Sequence, residues 1–143
     1  MKEFIGEFLG TFILVLLGDG VVAGNVLKNT KEEGTGWSSI VFGWGIACTV
    51  AVYVAGLFSP AHLNPAVTIA MAATESLAWS KVLLYIVAQL LGAMFAAVIL
   101  WLHYYPHFKE TKDSGAILGM FSTAPAIRHT PSNFLEKHLE QQF

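Results

Sequence analysis

Asn64 and Pro65 are the residues whose types and order best predict a chemical role in this sequence. Asparagine is favoured as the cap of a helix start, because its side-chain oxygen accepts a hydrogen bond from a free backbone N–H. Proline suits the first helical position, where its missing N–H costs nothing. The capping amide keeps its NH₂ group free to donate, and the backbone carbonyls of Ala61, His62 and Leu63 can accept. These groups would orient a hydroxyl or a water molecule without making or breaking bonds.

The helix that begins at Pro65 is predicted to be short, covering residues 65–76. Its first part is apolar apart from Thr68, and Glu75 and Ser76 end the apolar run. A helix of about eleven residues is roughly 16 Å long, about half of the ~30 Å hydrocarbon core of a bilayer. Such a helix is either a buried helix with an ordinary cap or one that re-enters a membrane without crossing it.

Composition places the chain among membrane proteins. Of its 143 residues, 55% are hydrophobic and only 13% are charged, whereas soluble domains carry about 25% charged residues. The net charge of −2 gives no reason to expect nucleic acid as a partner. A single cysteine, Cys48, excludes an intrachain disulfide and a cysteine-based metal site. We expect no cofactor and no metal.

Three long apolar segments are predicted to cross the membrane as helices, because each approaches or exceeds the ~20 residues that span a bilayer. They cover residues 4–27, 38–58 and 82–105. Pro60 ends the second segment, since proline disfavours the helical conformation in the residue before it. Residues 106–133 are polar and are predicted to form an irregular loop.

Small residues recur along the three segments at spacings that let membrane helices approach closely. Gly6 and Gly10 are four residues apart, as are Gly20 and Gly24. The other two segments carry further small residues, namely Gly43, Gly45, Ala47, Ala51, Ala55, Gly92, Ala93, Ala96 and Ala97. Gln89 interrupts the third segment and is predicted to hydrogen-bond between helices.

Several stretches of the sequence resemble the aquaporin and glycerol-facilitator family, the major intrinsic proteins. Residues 61–68 (AHLNPAVT) contain the asparagine-proline-alanine signature after a second apolar segment. Residues 6–11 (GEFLGT) and 88–93 (AQLLGA) resemble the opening of the family's first helix and the core of its third. Residues 121–125 (FSTAP) resemble the external loop of glycerol facilitators, and Trp44 stands where that branch places a tryptophan in its constriction.

The resemblance implies an all-α membrane protein with an aquaporin-like N-terminal repeat, three transmembrane helices plus one re-entrant half-helix. Family members have six spanning helices in two inverted repeats, so residues 1–143 are expected to be a single half domain, truncated after the first repeat. Family topology puts the N-terminus in the cytoplasm and residues 106–133 outside. The distribution of basic residues disagrees, because cytoplasmic loops usually carry them. Lys2 and Lys81 would lie inside, whereas Lys28, Lys31, Lys109, Lys112 and Arg128 would lie outside.

The implied function is a passive transmembrane channel in the cell membrane for glycerol and other small neutral solutes, with water as a further permeant. The residues expected to line the pore are Trp44, Ala61, His62, Leu63, Asn64, Pro65 and Ala66. In the family, the glutamate that matches Glu7 accepts hydrogen bonds from backbone N–H groups of a pore loop, so Glu7 and Gln89 are expected to support that loop. Trp44 could instead face lipid or serve in helix packing, and His62 could be purely structural.

Two functional hypotheses follow for the chain by itself. It is either a channel subunit that needs a second half or a homo-oligomer, since family members are tetramers, or a membrane-inserted fragment without transport that is non-functional or binds full-length relatives. An enzyme is not expected, because the sequence has no nucleophile–base pair, metal cluster or phosphate-binding loop.

Overall fold

The computed structural model describes residues 1–122 and 129–134. It contains six numbered helices, which are α1 (Lys2–Val26), α2 (Trp37–Ala55), α3 (Pro65–Ala73), α4 (Trp79–His103), α5 (Tyr105–Glu110) and α6 (Ser114–Phe121). Two parts of the sequence discussed above lie outside the described residues, namely residues 123–125 of the FSTAP stretch and Arg128.

The helices α1, α2 and α4 are long and apolar enough to cross a membrane. With 25, 19 and 25 residues they are about 28–38 Å long, which matches the ~30 Å hydrocarbon core. The prediction of three spanning helices and one short helix between the second and the third is therefore confirmed. The observed ends of the spanning helices lie within three residues of the predicted ones.

The two ends of the helix bundle are each defined by contacts between distant parts of the chain. At one end, the Lys81 ammonium lies 2.8 Å from the Glu3 carboxylate, which joins the start of α4 to the start of α1. At the other end, the Lys28 N–H donates to Thr111 Oγ1 at 2.9 Å, joining the first connector to the segment after α5. The N-terminus and residues 74–78 therefore lie on one side of the bundle, and residues 27–36 and 104–113 on the other.

Helix α1 packs against both α2 and α4, and small residues allow the close approach. A Cβ atom at Gly92 of α4 would overlap the Phe8 carbonyl oxygen and lie 3.0 Å from the Phe12 nitrogen of α1. A Cβ at Gly43 of α2 would lie 2.5 Å from the Val21 side chain. Gly45, which was predicted to share this packing surface, instead faces open space.

Helix α3 ends at Ala73, three residues earlier than predicted. Glu75 adopts the left-handed backbone conformation with φ = 60°, which ends the helix. The N–H groups of Ser76 and Leu77 both turn back to the Met71 carbonyl, at 2.9 and 3.1 Å. Leu77 then packs with Ala72 of α3 and Tyr85 of α4, so the end of the short helix is fixed against α4.

The prediction that residues 106–133 are irregular was wrong, because α5 and α6 lie within or across this range. Pro106 occupies the first turn of α5, where proline is compatible with a helix. Asp113 caps α6, since its Oδ1 accepts from Gly115 N at 2.8 Å and from Ala116 N at 3.2 Å. Both helices are short, which left these two starts unpredicted, and α6 buries Met120 against the main bundle.

The connector between α1 and α2 is held by the Glu33 carboxylate. Its Oε1 binds the Lys28 ammonium at 2.6 Å and its Oε2 accepts from Asn29 N at 2.8 Å. The side-chain hydrogen bond and the attraction between the charges raise the pKa of Lys28 and lower the pKa of Glu33. The Lys28 side chain is 59% and the Glu33 side chain 34% exposed, so solvent screens the pair and it orders the connector rather than the bundle.

The contact at Gly92 can be tested by adding one methyl group. We expect Gly92→Ala to lower the free energy of unfolding by about 1–3 kcal/mol, because the overlapping atoms are backbone and cannot turn aside. Gly45→Ala is the matched control and should gain up to about 1 kcal/mol from helix propensity, since nothing lies near its Cβ. Denaturation in detergent micelles, followed by circular dichroism, measures both. If Gly92→Ala and Gly45→Ala had equal free energies of unfolding, α1 and α4 could move apart to accept the added methyl group without a loss of stability.

Candidate pore-forming site

The chain between α2 and α3 has an irregular backbone that two left-handed residues shape. Ala61 has φ = 56° and Leu63 has φ = 53°, values that side-chain-bearing residues rarely adopt. Each such residue costs on the order of 1–3 kcal/mol and persists only where the surroundings impose it. The side chains of Glu7 and Ser59 bind this backbone directly, and Gln89 binds Glu7.

Glu7 of α1 is completely buried, and its carboxylate accepts four hydrogen bonds. Oε1 accepts from the Ser59 hydroxyl at 2.8 Å and from His62 N at 3.0 Å. Oε2 accepts from Leu63 N and from Gln89 Nε2, both at 2.8 Å. Four donors match the acceptor sites of an ionised carboxylate, and they offset the large cost of burying its charge.

The orientation of these N–H groups determines where the backbone carbonyls point. In a planar trans peptide, the N–H of one residue and the C=O of the preceding residue point in opposite directions. Because the N–H groups of His62 and Leu63 point at Glu7, the carbonyls of Ala61 and His62 point away from α1. No hydrogen bond between the described residues ends on either carbonyl, so both are acceptors without a protein partner there.

Two glycines of α1 make room for this segment. A Cβ at Gly6 would lie 2.7 Å from the Ser59 hydroxyl, and a Cβ at Gly10 would overlap the Leu63 side chain and lie 2.7 Å from the Ala55 side chain. The pair therefore brings α1 against the irregular segment as well as against α2. Glu7, between the two glycines in sequence, is thereby placed within hydrogen-bond distance of the segment's backbone.

Asn64 caps α3, and the direction of its amide is fixed by that role. Its Oδ1 accepts from Ala66 N at 2.8 Å, so the NH₂ group is on the opposite side of the amide. The side chain is exposed, and none of the described residues accepts a hydrogen bond from this NH₂. The start of α3 also carries roughly half a positive charge, because its peptide dipoles align. Asn64 therefore presents a free donor at the positive end of a helix.

The structure brings most of the predicted site residues together, with one exception. Residues 61–66 form a continuous segment that Glu7 and Gln89 hold, with Pro65 half-buried and Ala66 exposed. Trp44 lies apart, three turns along α2 from Ala55 and therefore about 16 Å away along the helix axis. Its half-buried indole packs against Gly18 of α1.

Three residues of the site were not singled out from the sequence. Ser59 bridges the segment, because its hydroxyl donates to Glu7 and accepts from Ala61 N at 3.1 Å. Thr68 is completely buried and accepts from Gln89 Nε2 at 3.0 Å. The Tyr85 ring, also buried, lies 5.0 Å from the His62 ring between centroids. The only available signal was that Thr68 is the single polar side chain within an apolar helix.

Metal-binding side chains do not gather in the part of the chain that the structure describes. Within residues 1–122 and 129–134, no three His, Cys, Asp or Glu residues lie close enough to hold a metal ion. The site consists of hydrogen-bond donors and acceptors.

A family model, described as major intrinsic protein, matches residues 1–136. The chain belongs to the major intrinsic protein family. Glycerol uptake facilitator protein 3 of Lactiplantibacillus plantarum is 51% identical over 94% of this chain and 56% of the relative. A glycerol uptake facilitator protein of Streptococcus pneumoniae is 54% identical over 97% of this chain and 59% of the relative. The chain thus spans a little over half the length of these curated relatives.

A solved structure of the same family has the same fold as this chain. The X-ray structure of the aquaglyceroporin from Plasmodium falciparum matches with a TM-score of 0.71 and 37% sequence identity. The match covers 78% of this chain and 45% of that one. Together with the three spanning helices, it shows a multi-pass membrane protein with the aquaporin-like arrangement of three spanning helices and a half-helix.

The Glu7 carboxylate can be tested with the isosteric amide. In Glu7→Gln, an NH₂ group replaces one oxygen and faces two donors, so we expect a loss of about 1–3 kcal/mol for each donor left unsatisfied. Glu3→Gln is the matched control on the same helix. It removes an exposed ion pair with Lys81 and should cost less than about 1 kcal/mol. Chemical denaturation in detergent measures the free energy of unfolding of both variants. Similar losses would show that the Glu7 carboxylate does not support the irregular segment.

Proposed function

We propose that this chain forms one half of a passive pore for glycerol and other small neutral solutes, with water as a further permeant. The pore wall is the segment Ala61–Ala66, and Trp44 adds an apolar surface further along the pathway. Permeation needs no bond-making step, so no catalytic group takes part. The glycerol uptake facilitators among the relatives support the choice of solute, as do the donor and acceptor groups of this segment.

The observation that carries this proposal is the free amide of Asn64 beside two unpartnered carbonyls. The Asn64 NH₂ donates into the pathway, while the Ala61 and His62 carbonyls accept. A polyol offers alternating hydroxyl groups along one edge and carbon atoms along the other. Its hydroxyls would exchange hydrogen bonds with water for bonds to this segment, and its carbon edge would slide along an apolar wall.

A closed pore requires a second surface opposite this one. Helix α3, which Asn64 caps, exposes one face with Ala66, Val67 and Ile69, of which Val67 is 42% and Ile69 47% exposed. Irregular backbone at membrane depth is stable only where protein or water covers it. We propose that a second unit of the same kind covers this face, in inverted orientation, so that two half-helices meet at their N-termini. Homo-oligomerisation beyond that pair is part of the same proposal.

The second candidate function is a membrane-inserted chain that does not transport and instead binds full-length relatives. Apolar side chains that are more than 60% exposed on the outer faces of α2 and α4 favour it, because lipid or another chain must cover them. They include Trp37, Val41, Phe42, Ile46, Tyr53, Trp79, Leu83 and Met94. A measurement of transport by the chain alone distinguishes the pore-forming function from the non-transporting one.

Glycerol entry into proteoliposomes that contain only this chain tests the proposed pore. Stopped-flow light scattering should show entry above that of empty liposomes, and Asn64→Asp should reduce it. Aspartate keeps the cap but removes the donor, which costs about 1–3 kcal/mol, or roughly 5- to 150-fold in rate. Asn29→Asp makes the same chemical change at an exposed connector residue and should leave the rate unchanged. Entry no faster than in empty liposomes, with insertion demonstrated, would favour the second candidate.

We propose further that the N-terminus lies in the cytoplasm, despite the basic residues on the opposite side. Two single-cysteine variants in a Cys48→Ser background test the orientation, Lys31→Cys in the first connector and Ser76→Cys after α3. A membrane-impermeant maleimide should label Lys31→Cys in intact cells and Ser76→Cys only after lysis. Labelling of Ser76→Cys alone in intact cells would mean that the distribution of basic residues sets the orientation.

A further inference from the structure

We infer that the Thr68 hydroxyl is a positioning group that holds His62 in the Nδ1–H tautomer and fixes the residue that caps α3. Thr68 is fully buried where α3, α4 and the irregular segment meet. Two side chains, Gln89 and His62, and the Asn64 carbonyl converge on its hydroxyl, and their distances favour one assignment of protons.

The Glu7 carboxylate determines the orientation of the Gln89 amide and thereby the first hydrogen bond to Thr68. Gln89 Nε2 lies 2.8 Å from Glu7 Oε2, and a carboxylate oxygen only accepts, so the NH₂ end of the Gln89 amide faces Glu7. The same NH₂ group lies 3.0 Å from Thr68 Oγ1 and donates its second hydrogen there. One lone pair of the Thr68 oxygen is therefore occupied.

The second proton belongs to the Thr68 hydroxyl itself. Thr68 Oγ1 lies 3.0 Å from the Asn64 carbonyl oxygen, which only accepts, so the hydroxyl donates to it. Thr68 N donates to the same carbonyl at 3.0 Å. Thr68, one turn after the cap, thus binds the Asn64 carbonyl with both its backbone N–H and its side-chain hydroxyl.

The remaining contact, between His62 and Thr68, determines which nitrogen of the His62 imidazole carries the hydrogen. His62 Nδ1 lies 3.3 Å from Thr68 Oγ1, a longer distance than that to the Asn64 carbonyl. Since the hydroxyl proton is directed at Asn64, the oxygen has one lone pair left, and His62 Nδ1 must supply the hydrogen. A hydroxyl with one donor and two acceptor sites is then fully used. Nε2 of the neutral ring carries no hydrogen and can only accept.

The ring cannot easily turn away from this contact. Tyr85, whose side chain is fully buried, lies 5.0 Å from the His62 ring with an angle of 44° between the planes. The His62 backbone is fixed by its N–H bond to Glu7 at 3.0 Å. Thr68 thereby connects the Glu7 network to Asn64, which makes it a positioning residue of the proposed pore, a consequence that rests on the proposed function.

Imidazole ¹⁵N resonances report the tautomer directly and do not depend on transport. The chain labelled with ¹⁵N-histidine, in detergent or nanodiscs and at a pH at which imidazoles are neutral, should show His62 protonated at Nδ1 and unprotonated at Nε2. A His62→Gln sample assigns the signals. Thr68→Ser, which keeps the hydroxyl, should retain this pattern. Thr68→Val, which has the same shape without an acceptor, should move the proton to Nε2.

Two results would overturn the inference: a wild-type ring protonated at Nε2 with Nδ1 bare, or an unchanged tautomer in folded Thr68→Val. If Thr68→Val does not fold, the wild-type and Thr68→Ser spectra still decide the assignment. Glycerol entry gives a separate readout, with Thr68→Val reduced several-fold and Thr68→Ser near wild type. The expected tautomer without any glycerol entry in the wild type would uphold the Thr68 assignment and reject the proposed pore.

Discussion

The rest of the structure depends on the hydrogen bonds that the buried Glu7 carboxylate accepts. Non-helical backbone inside a membrane needs partners for its N–H groups, because hydrocarbon offers none. Glu7 supplies two of these partners directly and a third through Ser59, and its position determines which way the Ala61 and His62 carbonyls point. The glycines on either side of Glu7 matter for the same reason, since they let α1 approach the segment closely enough for these bonds to form.

Local sequence patterns predicted the helices well, because length, hydropathy and capping residues are local properties. The start of α3 at Pro65 follows from the Asn64-Pro65 pair alone. Its end at Ala73 did not, since it depends on a left-handed Glu75 and on Leu77 finding Tyr85 across the bundle. The helices α5 and α6 were missed because both are short, with six and eight residues, and the apolar run that follows the Asp113 cap is too short to predict a helix by its periodicity.

The candidate site was predictable only in part. The role of Asn64 can be predicted from its residue type and from the proline that follows it. By sequence alone, Glu7 is only a charged residue that is costly to place in an apolar helix. Its supporting role came from the family resemblance, and the structure places its four donors 52 to 82 residues away. Ser59 and Tyr85 were not singled out because an ordinary serine or tyrosine carries no local sign of such distant partners, and the signal at Thr68 was only that it is the one polar side chain in an apolar helix.

The position of Glu7 ahead of all four of its donors in the chain has a consequence for biosynthesis. A ribosome makes α1 before the segment that Glu7 binds, and Gln89, the last of the four donors, follows 82 residues later. A newly made α1 therefore meets the bilayer with a carboxylate that has none of its final partners. Glu7 is only five residues into α1, about 8 Å from the helix end, so it can remain near the headgroups at lower cost than at the centre. Arrival of the segment around Ser59, and then of α4, would draw the carboxylate inward, so that assembly of the irregular segment and full insertion of α1 form one coupled step.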